Sequence, residues 1–406
     1  MKKDLDRLMK EMKVAALYAE GSASADPTIY YLFNGVNINA RFVKLTGKPA
    51  YVIHKSIERE EAVKTGHRLI NMSLIDFRKI LEKNRNAARA NALVTKYLLD
   101  RLRVSGTVAF YGSAPLGNAY NYLRQIVSVN RRIKIFNSVR QDLVIQARET
   151  KDENEVNRIR IAGKGVVRAF DRLVKSVQKM KVKKNAIYKT GGEKLRIRDL
   201  KDMLRRELFN CGLINSNGLI VAQGRDAGVP HNSGRDNQPV ELGRTIVFDI
   251  YPQEIGGGYF FDFTRTLCFG FAPQRYEDVF RVVKDAQDYA FDLLKIGERT
   301  IEIEKKVCRF FEKHGHPTML SDRRTQIGYC HTLGHGVGLN VHESPSFGLL
   351  KTNRNVIKPG AVFTVEPGLY YPAAGYGVRL EDIIYVSPKG RFINLTDYPR
   401  RLVVEM

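Results

Sequence analysis

The sequence predicts an α/β unit over residues 1–147 followed by an α+β unit over residues 148–406. Three observations predict it. Short apolar runs alternate with helical spacing in the first part. A helix-start signal and a long amphipathic repeat open the second part near residue 150, and beyond it strand signals bracket glycine-rich turns, with helices between them. A chain of 406 residues also exceeds one ordinary core.

Taken in order, the N-terminus MKKDLDRLMKEMKVAALYAEGSASA reads as an amphipathic helix. Charges at Asp4, Asp6, Arg7, Lys10, Glu11 and Lys13 interrupt any secretory h-region, so a cytoplasmic protein is expected. Residues 51–54, 107–112 and 133–137 read as strands, and 58–62 and 87–102 as helices. Thr150-Lys-Asp-Glu153 has the form of a capping box. Val156, Ile159, Gly163, Val166, Phe170, Leu173 and Val177 then recur every three or four residues, as on one face of a long helix. Strands are expected at 219–222, 245–250, 260–269, 362–365 and 378–386, and helices at 276–294 and 301–314.

Composition removes several classes of function. With 43% hydrophobic residues and only 14 prolines, the chain can offset the entropy of folding. Its longest apolar runs have strand length, far short of the roughly 20 residues of a membrane span. Cys211, Cys268, Cys308 and Cys330 form no CxxC pair and read as reduced thiols. The net charge of +24 raises nucleic acid as a partner. However, residues 1–150 hold 26 basic and 13 acidic side chains and residues 151–406 hold 41 and 30, so the excess is spread over both parts. The densest stretch, 175–184, lacks interleaved aromatics for stacking bases and reads as a solvated helix face.

Chemistry concentrates in the second part. Six of eight histidines follow residue 230, three of them within HTLGHGVGLNVH at 331–342. Carboxylates occur within strand signals, where charge is not expected to be buried: Asp249 in TIVFDIYP with Asp262 in GYFFDFTRT, and Glu366 in FTVEPGLY with Glu381 in GVRLEDIIYV. The first pair brackets Gly256-Gly257-Gly258 and the second brackets the loop PAAG. If each is a hairpin, its two acids face one another on one side. Four such carboxylates need a counter-charge, which two bridged divalent ions would supply together with a water-derived nucleophile. With His335 this is an oxygen-rich set suited to Mn²⁺, with Co²⁺ or Fe²⁺ as alternatives. The competing reading pairs the acids with Arg265 and Arg379.

These motifs resemble the metallopeptidase family of methionine aminopeptidase, aminopeptidase P, prolidase and creatinase. The resemblance rests on Asp249, Asp262 in DFTRT, His335 in GHGVGLNVHE, Glu366 in VEPGLY and Glu381 in VRLED. It implies an α+β pita-bread catalytic domain behind an α/β N-terminal domain like that of the prolidase, aminopeptidase P and creatinase branch. It further implies that Asp249 holds one metal, Asp262 and Glu381 bridge two, and His335 and Glu366 hold the other. Glu366 would shuttle the proton. His342 and His231 would bond substrate and the developing oxyanion, and His331 and Arg379 would line the substrate pocket or support the bridge. The implied substrates are short proline-containing peptides, and the implied assembly is a homodimer.

Two departures bear on substrate. Most relatives have Asp-x-Gly at the first ligand and a shorter spacing to the second, whereas here the motif is Asp249-Ile-Tyr. Because the insertion is even, both side chains keep their face. Prolidases that resemble this chain often have an arginine where Ser346 stands, a position suited to holding a dipeptide's carboxylate. Its loss favours Xaa-Pro-Yaa peptides, cut at the N-terminal Xaa-Pro bond, over Xaa-Pro dipeptides. Three rivals are an Xaa-Pro dipeptidase, a creatinase-like hydrolase and a non-catalytic binding protein on the same fold.

Overall fold

The computed structural model describes residues 3–74, 77–84, 86–137 and 142–406. It divides into two compact units, Met1–Ala147 with Gly256–Gly258, and Arg148–Ile255 with Tyr259–Met406.

The first unit is built on a six-stranded sheet: β1 (Ala16–Ser22), β2 (Asn39–Leu45), β3 (Ala50–His54), β4 (Arg68–Asn71), β5 (Gly106–Tyr111) and β6 (Ile133–Ile135). Its spatial order is β4-β3-β2-β1-β5-β6, with β1 antiparallel to β2 and parallel to β5. The expected N-terminal helix is present only over Lys3–Glu11. What was read as its continuation is β1, a central strand of the sheet. The alanines and Leu17 of that stretch carry little intrinsic strand preference, so its pairing with neighbours on both sides decides.

In the second unit the helix Glu153–Gln178 starts two residues later than expected. Asp152, not Thr150, is its N-cap, and Asp152 and Glu155 form the reciprocal capping box. An aspartate accepts the backbone N–H as a threonine would and also favours the positive end of the helix. The helix lies on a four-stranded sheet ordered Ile220–Gln223, Ile246–Ile250, Phe263–Phe269, Val403–Val404. Phe170 meets Phe248 and Phe263 edge-on at 5.2 and 5.1 Å between ring centroids. Gly163 is obligatory here, because a Cβ would come within 2.3 Å of the Phe261 ring.

A five-stranded sheet, ordered Glu343–Ser346, His335–Gly336, Val362–Val365, Asp382–Val386, Phe392–Asn394, forms the other half. Helices Gln274–Leu293 and Thr300–Lys313 cover it, burying Val283, Val307 and Phe311 against Phe363, Val365 and Ile384. The expected strand at 378–386 is two strands, Tyr376–Arg379 and Asp382–Val386, interrupted at Leu380-Glu381. There the Glu381 N–H turns to the Thr264 carbonyl at 3.1 Å and joins the two halves.

Candidate metal centre

The second carboxylate pair has the geometry expected of it. Val365 pairs with Asp382 and Gly368 with Arg379 in one continuous antiparallel register, which sets Glu366 opposite Glu381. The first pair differs. Asp249 faces Thr264, and Asp262 lies two residues before that partner, just outside its strand. The reason is the turn, which the Glu254 N–H closes onto the Tyr259 carbonyl, so the hairpin centres one residue later than Ile255/Gly256. Gly256 and Gly257 occupy the left-handed region that such a turn needs. A register offset of two keeps Asp262 on the face of Asp249, now as a diagonal neighbour.

Asp262, His335 and Glu381 offer ligand atoms that all lie within 4.8 Å of one another. His335 Nε2 is 3.3 Å from Glu366 Oε1 and 3.7 Å from Asp262 Oδ2. The imidazole is fixed from behind. Its backbone N–H donates to Thr364 Oγ1 at 3.1 Å, and Nδ1 lies 3.1 Å from the Gly336 carbonyl, so with the proton on Nδ1 the Nε2 lone pair faces the acids. Burial, then the charge of His342, lowers the His335 pKa to about 4 and keeps the ring neutral.

Asp249 lies at the edge of this group and ion-pairs with Arg379. The arginine reading thus holds for one of the four acids. Arg265 instead pairs with Asp382, outside the cluster. Arg379 Nη1 donates to the Tyr370 hydroxyl at 2.8 Å, and that hydroxyl lies 2.9 Å from His331 Nε2. His331 is held neutral, its pKa lowered to about 3 by burial and by Arg379. The His342 ring stands 4.3 Å from that of His335. Partial desolvation of the ring and the charge of His231 lower the His342 pKa. Both His342 and His231 are solvent-exposed.

Sequence reasoning missed Thr264 and Thr364. Thr264 Oγ1 donates to Glu381 Oε2 at 2.7 Å, and Thr364 Oγ1 lies 3.3 Å from Glu366 Oε1. The signal was available: each threonine stands two residues from an acid, hence on the same face of an extended chain.

Burial, reinforced by Glu381 and Asp249, pushes Asp262 well above the usual carboxylate range. Burial with Glu366 and Asp249 does the same to Glu381. Glu366 is raised chiefly by burial and by Asp262 and Asp249, against the pull of Arg379. Acids that cannot ionise together, converging on one neutral imidazole, fit a divalent cation, which replaces their protons as the counter-charge. With no thiolate in the set, hard or borderline cations are favoured.

The model of metallopeptidase family M24 matches residues 157–388. The Xaa-Pro dipeptidase of Pyrococcus furiosus is 24% identical over 396 residues, 96% of this chain and 97% of its own. Among solved structures, the Xaa-Pro dipeptidase from Bacillus anthracis has a TM-score of 0.76 at 20% identity over 99% of both chains. The X-Pro aminopeptidase from Thermotoga maritima has a TM-score of 0.74 at 23% identity, over 98% of this chain and all of its own. This likeness shows the fold, an α/β N-terminal domain followed by an α+β pita-bread domain.

Proposed function

The chain belongs to metallopeptidase family M24, and on that premise we propose that it is an Xaa-Pro peptidase, cutting the N-terminal Xaa-Pro bond of short peptides. The carrying observation is the convergence of Asp262, Glu381 and Glu366 on His335 Nε2. Asp249, Asp262, His335, Glu366 and Glu381 would hold two divalent ions. When bound, these supply Lewis acidity and lower the pKa of water in the site.

The remaining steps belong to the chain. Glu366 takes the proton of the attacking water and returns it to the leaving amine. His342 and His231 donate to substrate and to the oxygen on which negative charge develops. Arg379 holds the Asp249 carboxylate in place, and Tyr370 and neutral His331 fix Arg379 from the other side. The oxygen-rich set supports Mn²⁺, with Co²⁺ or Fe²⁺ as alternatives. A cytoplasmic homodimer belongs to the same reading. Its four free cysteines accord with a reducing compartment, and among the described residues no helix is long and apolar enough to cross a membrane.

Ser346 pairs with His335 across two strands and offers no charge for a dipeptide's carboxylate, which supports Xaa-Pro-Yaa substrates. The Pyrococcus furiosus relative, named for dipeptides and matched along nearly its whole length, favours the second reading, a dipeptidase. Chelated protein assayed before and after Mn²⁺ on matched Xaa-Pro and Xaa-Pro-Yaa peptides separates the two. Metal-restored cleavage of the longer peptide, lost in Glu366→Gln by about 10²- to 10⁴-fold, is the expected result. Preference for the dipeptide selects the second reading, and no cleavage in any metal removes both.

A further inference from the structure

The N-terminal unit contains a cavity of its own. Adjacent parallel strands β1 and β5 send the chain in opposite directions, β1 to its neighbour β2 and β5 through the helix Leu116–Val129 to β6. At such a switch point the carboxyl ends of the strands open a crevice, the usual ligand position in open α/β sheets. A cavity of about 590 Å³ lies there, within the range of small-ligand sites.

Its chemistry is specific. Phe110, Tyr111 and Tyr122 are its aromatic lining residues besides Tyr18, and the Tyr122 hydroxyl is anchored through Thr95 at 2.7 Å. Among the described residues, Glu20 is the single ionisable acid or base in the lining besides the tyrosines; it is paired with Arg41 at 2.8 Å and accepts from the Tyr18 hydroxyl at 2.9 Å. Among the described residues, the lining offers no cation for a phosphate or carboxylate. Four amides instead converge on it from three elements: Asn39 of β2, Asn91 of the helix Ala87–Arg101, and Asn118 and Asn121 of the helix Leu116–Val129. All four side chains are solvent-exposed.

We propose that this crevice docks an uncharged, proline-containing peptide segment. Proline brings an apolar ring and no N–H, so its extended chain presents carbonyls that need donors, and aromatic-lined grooves recognise such chains at low entropic cost. The amide nitrogens of the four asparagines meet the carbonyls and the three rings meet the prolines. The choice of ligand rests on the Xaa-Pro reading, which brings peptides of this chemistry to the protein.

The test uses metal-loaded full-length enzyme and calorimetric titration with acetyl-Ala-Pro-Pro-Ala-Pro-Pro-amide, whose blocked ends remove it from aminopeptidase or dipeptidase turnover. Saturable binding is expected, weakened at least tenfold in Asn118→Leu/Asn121→Leu and, on the opposite wall, in Asn91→Leu, with hydrolysis of Ala-Pro-Ala unchanged. All three positions are solvent-exposed on helices, where leucine is a good helix former. The proposal is overturned by no binding, by equal binding of an all-alanine peptide, by binding insensitive to these variants, or by tighter binding of adenosine in the crevice. Failure of the peptidase reading is separate: wild type and variants alike would then leave Ala-Pro-Ala uncut.

Discussion

Replacing Arg265 by methionine is expected to destabilise the C-terminal unit by about 3–5 kcal/mol, the usual consequence of removing one partner of a buried ion pair. The side chain is fully buried. Its guanidinium donates to Asp382 Oδ1 and to the carbonyls of Glu381 and Tyr398, each at 2.8 Å, to that of Thr264 at 2.9 Å, and to that of Pro399 at 3.2 Å. It also lies 4.8 Å from the centre of the Phe263 ring. Methionine replaces much of the volume but none of the donors. Asp382, 2% exposed, would retain Asn394 Nδ2 at 2.8 Å as its side-chain donor. The Thr264 carbonyl keeps the Glu381 N–H at 3.1 Å; the three other carbonyls, at about 1–3 kcal/mol each, would sum to as much or more, but relaxation and entering water recover part of that. At roughly 2–4 °C per kcal/mol for a unit of this size, the melting temperature should fall by on the order of 10 °C. Scanning calorimetry of the metal-loaded protein measures the fall, and Arg265→Met/Asp382→Asn should recover part of it, because no charge is then left uncompensated. A single variant that melts within 2 °C of wild type, or a double variant no milder than the single, would refute the ion-pair account.

Glu304, fully buried and accepting from the Leu333 N–H at 2.6 Å, has its pKa raised by burial to about 8. The folded state therefore holds its proton more tightly than the unfolded chain, and stability should decline by on the order of a few kcal/mol as pH rises from about 5 through 8. Glu304→Gln should flatten that decline in urea titrations across pH, and an unchanged slope would show the carboxyl ionised in the fold. Gly334→Ala would set a Cβ 2.1 Å from the Thr364 carbonyl. That backbone clash should cost about 1–3 kcal/mol and weaken metal binding by moving His335, read by Mn²⁺ titration against wild type. Chelation should lower the melting temperature at neutral pH, because a cation held by Asp262, Glu366 and Glu381 binds the folded state alone and its removal leaves these buried acids to take up protons instead. Re-addition of Mn²⁺ should restore it, and a chelator with no effect on melting would count against a metal at this position.

What the sequence disclosed and what it hid divide by the range of the interaction. The pairing of Glu366 with Glu381 was legible because one register runs through both hairpin segments, so symmetry about the loop is enough. The same symmetry misplaced Asp262 by two positions, since three successive glycines accept several turn closures and only the bond from Glu254 to Tyr259 selects one. The face survived the error because strand side chains alternate with period two, which is why the acids still converge. For bonds between distant segments the residues could be named as candidates, but not which partners meet. Thr264 reaches Glu381 across 117 residues, and Arg379 reaches Asp249 across 130. The Arg379 contact changes the electrostatics of the site most. Although burial alone would pull its pKa down, Tyr370 and the carboxylates Asp249, Glu366 and Glu381 hold it well above the usual value. A fixed cation beside the cluster offsets part of the charge that a metal held there would have to offset, and it acts on Asp249, Glu366 and Glu381 alike.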